Sequence, residues 1–168
     1  MDYNFLIIAL SMAAVIFAII FKKDKHIFRV QKKETLKFTA LALVVFGLRC
    51  VLASNAPPEI LNEDLVYMLK NMPVWPLFLV FWEDIVFAAP VIYLDRKGYK
   101  KLKIVATIAA MVIFGSAHLY QGIFGFFFSA GYLYILSING GKKYGLGTIM
   151  IFHILFDLSA LAAVRLML

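Results

Sequence analysis

The chain has 168 residues, 63% hydrophobic and 16% charged, with a formal net charge of +7. Soluble domains are about 45–50% apolar, so this composition, with a mean hydropathy of +0.87, excludes an ordinary water-soluble domain and implies an integral membrane protein with little mass outside the bilayer. The positive charge gathers between apolar runs, as in the basic connections of membrane proteins, so the expected partner is the lipid bilayer and nucleic acid is excluded.

A spanning helix takes about 20 mostly apolar residues. Six segments qualify, at about residues 4–21, 36–53, 75–94, 104–120, 122–138 and 146–167. Backbone polar groups must be satisfied within the hydrocarbon, and none of the runs alternates in polarity as a barrel strand does. The expected fold is therefore all-α: a polytopic membrane helix bundle of about six transmembrane helices.

In the first segment no Lys or Arg precedes Phe5–Phe21, while Lys22, Lys23 and Lys25 follow it without a small-residue cleavage pattern. It reads as a retained helix rather than a cleaved signal. The first connection continues with Arg29, Lys32, Lys33 and Lys37. In the second segment, Cys50 is the single cysteine; it excludes an intramolecular disulfide and a cysteine metal cluster, and reads as a small buried hydrophobe. The second connection, Ser54 to Val74, is acidic (Glu59, Glu63, Asp64) with only Lys70. After Pro57-Pro58, its apolar residues Ile60, Leu61, Leu65, Val66, Met68 and Leu69 suit a short interfacial helix.

The third connection carries Arg96, Lys97, Lys100, Lys101 and Lys103, the fourth is an uncharged turn at Gln121-Gly122, and the fifth holds Lys142 and Lys143. Basic and non-basic connections alternate, which puts loops one, three and five in the cytoplasm and both termini outside. Arg165 is placed to snorkel to the outer interface. Trp75, Tyr93, Tyr120 and Tyr144 fall at segment ends as an aromatic belt, and the glycines from Gly122 to Gly147 read as close-packing and turn positions.

Against this background three polar signatures stand out: Glu83-Asp84, Phe114-x-x-x-His118 and His153-x-x-x-Asp157. A charged group at the bilayer centre costs roughly 3 kcal/mol or more, so it faces protein or a cavity and is usually functional. Glu83 lies among Phe81, Trp82, Ile85, Val86 and Phe87, surroundings that raise a carboxyl pKa and suit general acid–base work. Asp84, about 100° further round a helix of 3.6 residues per turn, reads as a supporting group. Phe114 is one turn from His118 and walls its imidazole, and His153 and Asp157 share a helix face. The structural alternative for each is a satisfied polar contact between helices. Counting about 1.5 Å per residue, Glu83, His118, Asp157 and His153 lie roughly 12, 8, 12 and 18 Å below the outer surface of a core about 30 Å thick. The four are therefore expected to converge in the outer half of the membrane.

These motifs resemble the CPBP family of intramembrane proteases (CAAX-type and bacteriocin-processing, also called Abi), whose pattern is EExxxR, then FxxxH, then HxxxN or HxxxD on successive helices. Glu83 matches the first Glu, Phe114 and His118 the second motif, and His153 and Asp157 the third. Asp84 stands where the second Glu is expected and Ala88 where Arg is expected. The resemblance covers about residues 75–168 and implies a four-helix catalytic core there, with residues 1–74 as accessory helices and loops. It implies an intramembrane endopeptidase in which Glu83, helped by His118, activates water and His153 with Asp157 stabilises the oxyanion. The expected substrates are peptides or lipidated, membrane-anchored proteins, prenylated CAAX types among them, and the expected site is the cell membrane. No cofactor is expected. The second choice of chemistry is zinc held by Glu83, His118, His153 and Asp157. A non-catalytic bacteriocin-immunity or peptide-binding protein is the alternative function.

Overall fold

A computed structural model describes residues 3–54, 81–119 and 122–167, and every regular element among them is helical. Helix α1 spans Tyr3–Asp24, and a single 3-10 turn, Lys25–Phe28, leads toward α2, Lys32–Ser54. The chain is helical again from residue 81, passes through a π-helical turn, Asp84–Ala88, and continues as α3, Ala89–Arg96. Helix α4 is Lys100–Ala117. Helix α5, Gly122–Tyr132, runs on through a π-helical stretch, Leu133–Gly140, and a last turn, Gly141–Tyr144. Helix α6 is Leu146–Met167.

Each of the six apolar segments read from the sequence falls on one of these helices as far as it is described. The proposed interfacial helix and residues 75–80 lie outside the described residues. Among the described residues one helix, Gly122–Tyr144, is both long and apolar enough to cross a membrane. The 104–120 segment differs in detail, because α4 ends at Ala117. Helix α2 also carries Arg49, a basic residue inside an apolar segment that the charge pattern of the loops does not account for.

Both π turns have local causes. Pro90 lacks an N–H, and in an α-helix its ring meets the carbonyl four residues earlier, that of Val86. Val86 is the middle residue of the Asp84–Ala88 turn, and widening the helix there relieves the clash. In the stretch Leu133–Gly140, the Asn139 side-chain amide donates to the Tyr134 carbonyl (2.8 Å), and a side chain inserted into the backbone ladder is a recognised source of helix irregularity.

The chain divides into two compact units. The first comprises Met1–Gln31 and Phe81–Met150; the second comprises Lys32–Val80 and Ile151–Leu168. The core of the first unit joins Ala13, Ile20 and Ile27 to Ile85, Ala88, Ala89, Val91 and Ile92, with Ala110, Phe114, Leu133 and Leu146 from the later helices. Helix α1, read as accessory from the sequence, thus packs directly against the helix that carries Glu83.

Connections one, three and five gather at one end of this unit. Arg96 Nε donates to Asp24 Oδ2 (2.7 Å). Lys103 and Lys142 both pair with Asp95. The Arg29 guanidinium and the Gln31 side-chain amide donate to the Lys143 carbonyl (2.9 and 3.3 Å), and the Gln31 N–H donates to Thr148 Oγ1 (2.8 Å). In the second unit α2 meets the later part of α6 through Phe38 and Phe152 (ring centroids 5.3 Å apart), and Phe156 packs on Phe152 (6.0 Å).

Candidate active site

Glu83 is the residue from which the π turn starts: it has helical backbone angles and stands immediately before Asp84. Its side chain is half-buried, whereas Asp84 is 1% exposed. The sequence reading gave Glu83 the chemistry and Asp84 a supporting part. The structure adds that Asp84 is the more deeply enclosed carboxyl, and that both sit where helix geometry changes. Single π turns inside α-helices are frequent at functional sites, because they alter the direction in which neighbouring side chains leave the helix. Four residues on, Ala88 is fully buried in the apolar core, so this position brings no cation to the acidic pair.

His118 is the C-cap of α4, with backbone angles (φ −103°, ψ 9°) that leave the helix. Its N–H donates to the Gly115 carbonyl (3.0 Å). Its ring Nδ1 lies 2.9 Å from the Phe114 carbonyl oxygen. A carbonyl only accepts, so Nδ1 carries the hydrogen, and in the neutral ring the lone pair belongs to Nε2. The Phe114 ring packs against the imidazole (4.7 Å, 54°). The F-x-x-x-H spacing thus does two jobs: the aromatic ring walls the imidazole, and the backbone of the same residue fixes its tautomer.

Aromatic contacts link this cap to the Glu83 helix. Phe114, 3% exposed, touches Phe87 (5.5 Å), and Phe87 meets Trp82 edge-on (5.5 Å, 88°). Gly115 permits a further close approach, since a Cβ there would stand 2.9 Å from the Phe126 ring and from its carbonyl oxygen. Both candidate residues of the first unit lie far from its basic end. At about 1.5 Å per residue, Glu83 is roughly 20 Å along its helix from Arg96, and His118 roughly 27 Å from Lys100.

His153 and Asp157 belong to the second unit. They share a face of α6, with His153 Nε2 3.9 Å from Asp157 Oδ2. That separation exceeds a direct hydrogen bond and is within reach of one bridging water. His153 is 6% exposed, while the Asp157 side chain is about one-third exposed. The structure therefore brings Phe114 to His118, and His153 to Asp157, and describes each pair within its own unit. Among the described residues, no group of three or more His, Cys, Asp or Glu side chains is placed to hold a metal ion.

The sequence reading missed Asp95. It is the shared partner of Lys103 and Lys142 at the basic end, and their hydrogen bonds and charges hold its carboxyl below the ordinary aspartate value. Its position in a run of basic residues was the available signal. It lies outside the candidate site.

Residues 66–159, more than half of the chain, match the family model described as Type II CAAX prenyl endopeptidase Rce1-like. All of Glu83, Phe114, His118, His153 and Asp157 fall inside the matched stretch. No curated protein and no solved structure matches the chain.

Proposed function

Since the chain belongs to the Rce1-like family of type II CAAX prenyl endopeptidases, a family of membrane-embedded proteases, we propose that it is an intramembrane endopeptidase that hydrolyses peptide bonds of peptide or membrane-anchored substrates, with prenylated C-terminal peptides as the first class to test. The observation that carries this reading is the containment of all three polar motifs within the family match, each on its own helix or helix cap. We read the chain as six spanning helices in the cell membrane, with loops one, three and five in the cytoplasm and the active centre in the opposite half.

In the proposed mechanism Glu83 is the general base. It takes a proton from a water molecule as the water oxygen attacks the carbonyl carbon of the scissile amide, and it later delivers that proton to the leaving amine as the C–N bond breaks. Glu83 is half-buried on a helix rich in aromatic residues, a setting that suits a carboxyl with this double role. His118, with Nδ1–H held by the Phe114 carbonyl, offers Nε2 as acceptor to the same water. His153 donates a hydrogen bond to the developing oxyanion. Asp157 does the same when protonated and orients His153 when ionised. This assignment needs no metal. Zinc bound by the same four side chains is the competing chemistry, and it is distinguished by experiment.

The test uses purified protein with farnesylated and unmodified quenched peptides, with and without a zinc chelator. Wild type cleaves at least one class, and chelator leaves the rate unchanged. Glu83→Gln and His118→Ala each lower the rate at least about a hundredfold, with thermal unfolding unchanged. Cleavage retained in both variants refutes the assignment. Loss of cleavage on chelation, restored by zinc, replaces the glutamate mechanism with a metal one.

A further inference from the structure

At the basic end of the first unit, between α4 and the π-helical stretch that follows α5, lies a cavity of about 250 Å³. Its walls are Ile104, Ile108 and Ile138, and its polar rim includes Lys103, Lys142 and Tyr134. The two lysines lean on one carboxylate: Lys103 Nζ is 2.7 Å from Asp95 Oδ1, and Lys142 pairs with Asp95 Oδ2. Two ammonium groups against one carboxylate leave the rim with one net positive charge. Directly below it Ile104 and Ile108 are 55% and 58% exposed, forming an apolar strip along α4.

We propose that this groove binds an anionic phospholipid, with its phosphate between Lys103 and Lys142 and an acyl chain along Ile104, Ile108 and Ile138. The combination of features selects the ligand. The net charge at the rim favours an anion, and basic pockets between helices at the positive end of a membrane protein suit anionic headgroups. The three isoleucines match a hydrocarbon chain, and the polar groups of Thr107 and Asn139, which complete the lining, donate to the Lys103 and Tyr134 carbonyls. The volume is below the usual 300–1,000 Å³ range for drug-sized ligands: it takes a headgroup and the start of one chain, and leaves the rest of the lipid on the exposed strip. Asp95 holds the two ammonium groups close together, one on each of its carboxylate oxygens. Lys103 and His118 are at opposite ends of α4, roughly 22 Å apart, so this site does not depend on the protease reading.

The experiment is native mass spectrometry of the full chain, purified in mild detergent, with equimolar phosphatidylglycerol and phosphatidylcholine. Thermal unfolding is measured in parallel with each lipid and with inorganic phosphate. Wild type retains phosphatidylglycerol at least about fivefold over phosphatidylcholine, gains unfolding temperature with it, and gains none with inorganic phosphate. The double variant Lys103→Gln/Lys142→Gln loses the preference. Ile108→Trp, which fills the groove without changing charge, weakens retention of phosphatidylglycerol and decides the matter if the double variant fails to fold. Equal retention of the two lipids by wild type overturns the proposal, as does an unchanged preference in both variants. Stabilisation by inorganic phosphate equal to that by phosphatidylglycerol identifies an ion site instead and also overturns it.

Discussion

Replacing Gly145 by alanine tests the junction where the helix bearing His153 and Asp157 begins. Gly145 has φ +90° and ψ 136°, a region that L-residues rarely enter. A Cβ there would fall on the Arg29 carbonyl oxygen and Cγ, inside van der Waals contact, and 3.0 Å from the Arg29 carbonyl carbon. Neither part can yield cheaply. The Arg29 carbonyl is backbone, and the same segment is tied down by Arg29 to the Lys143 carbonyl and by the Gln31 N–H to Thr148. An unfavourable backbone conformation costs about 1–3 kcal/mol, and forced overpacking a similar amount. The combined cost is roughly 2–6 kcal/mol, against a total stability of about 5–15 kcal/mol. Thermal unfolding in detergent, followed by tryptophan fluorescence, is expected to drop by at least about 5 °C. Gly47→Ala is the control for the same chemical change. Gly47 lies inside α2 with nothing within 4 Å of its would-be Cβ, so alanine there is expected to gain about 0.5–1 kcal/mol. If Gly145→Ala unfolds at or above the wild-type temperature, the close approach of these two segments is wrong.

Three further outcomes are expected. Gly115→Ala places a Cβ 2.9 Å from the Phe126 carbonyl oxygen, beside the His118 cap. It should cost about 1–3 kcal/mol and lower cleavage, and an unfolding temperature equal to wild type would contradict it. Ser137 is fully buried and its hydroxyl has no hydrogen-bond partner among the described residues. Ser137→Ala is therefore expected to raise stability by about 1 kcal/mol, and a clear loss in thermal unfolding would show that the hydroxyl is used. Asp95 has its pKa lowered by Lys103 and Lys142, so its contribution to stability is full above its unfolded value of 3.8 and is lost as the pH falls through the lower folded value. Asp95→Asn should unfold earlier than wild type at pH 7, by about 1 kcal/mol for these two partly exposed ion pairs together. The gap should close only below pH 3.8, and a gap that persists at the acid end would deny the ionic origin.

Much of the fold was legible because hydrocarbon imposes a strict rule. Backbone groups inside it must bond to their own helix, so apolar length alone locates helices, and the six expected segments fall on helices as far as they are described, except that the 104–120 segment leaves its helix after Ala117. The structure adds that Asp24, Asp95, Arg96, Lys103 and Lys142 meet at one end of the first unit. The candidate residues drew notice because ionisable side chains are costly in apolar runs, a criterion that marks Glu83, Asp84, His118, His153 and Asp157 but also Arg49.

What the sequence could not decide were matters of local geometry and partner choice. It read uninterrupted helices, while Pro90 opens a π turn that starts beside Glu83 and buries Asp84. It read His118 as helical, while the backbone turns there and the Phe114 carbonyl selects the tautomer of its ring. It passed over Asp95, though Lys103 from the adjoining connection and Lys142 from a distant one converge on it. Apolar periodicity and charge count are properties of the chain itself, so composition and spacing determined the helices and the residues that carry the proposed chemistry. Where a helix ends, so that His118 turns its ring onto the Phe114 carbonyl, and which remote lysine joins Lys103 on the Asp95 carboxylate are set by backbone geometry and by packing between helices, and only the folded chain decides them.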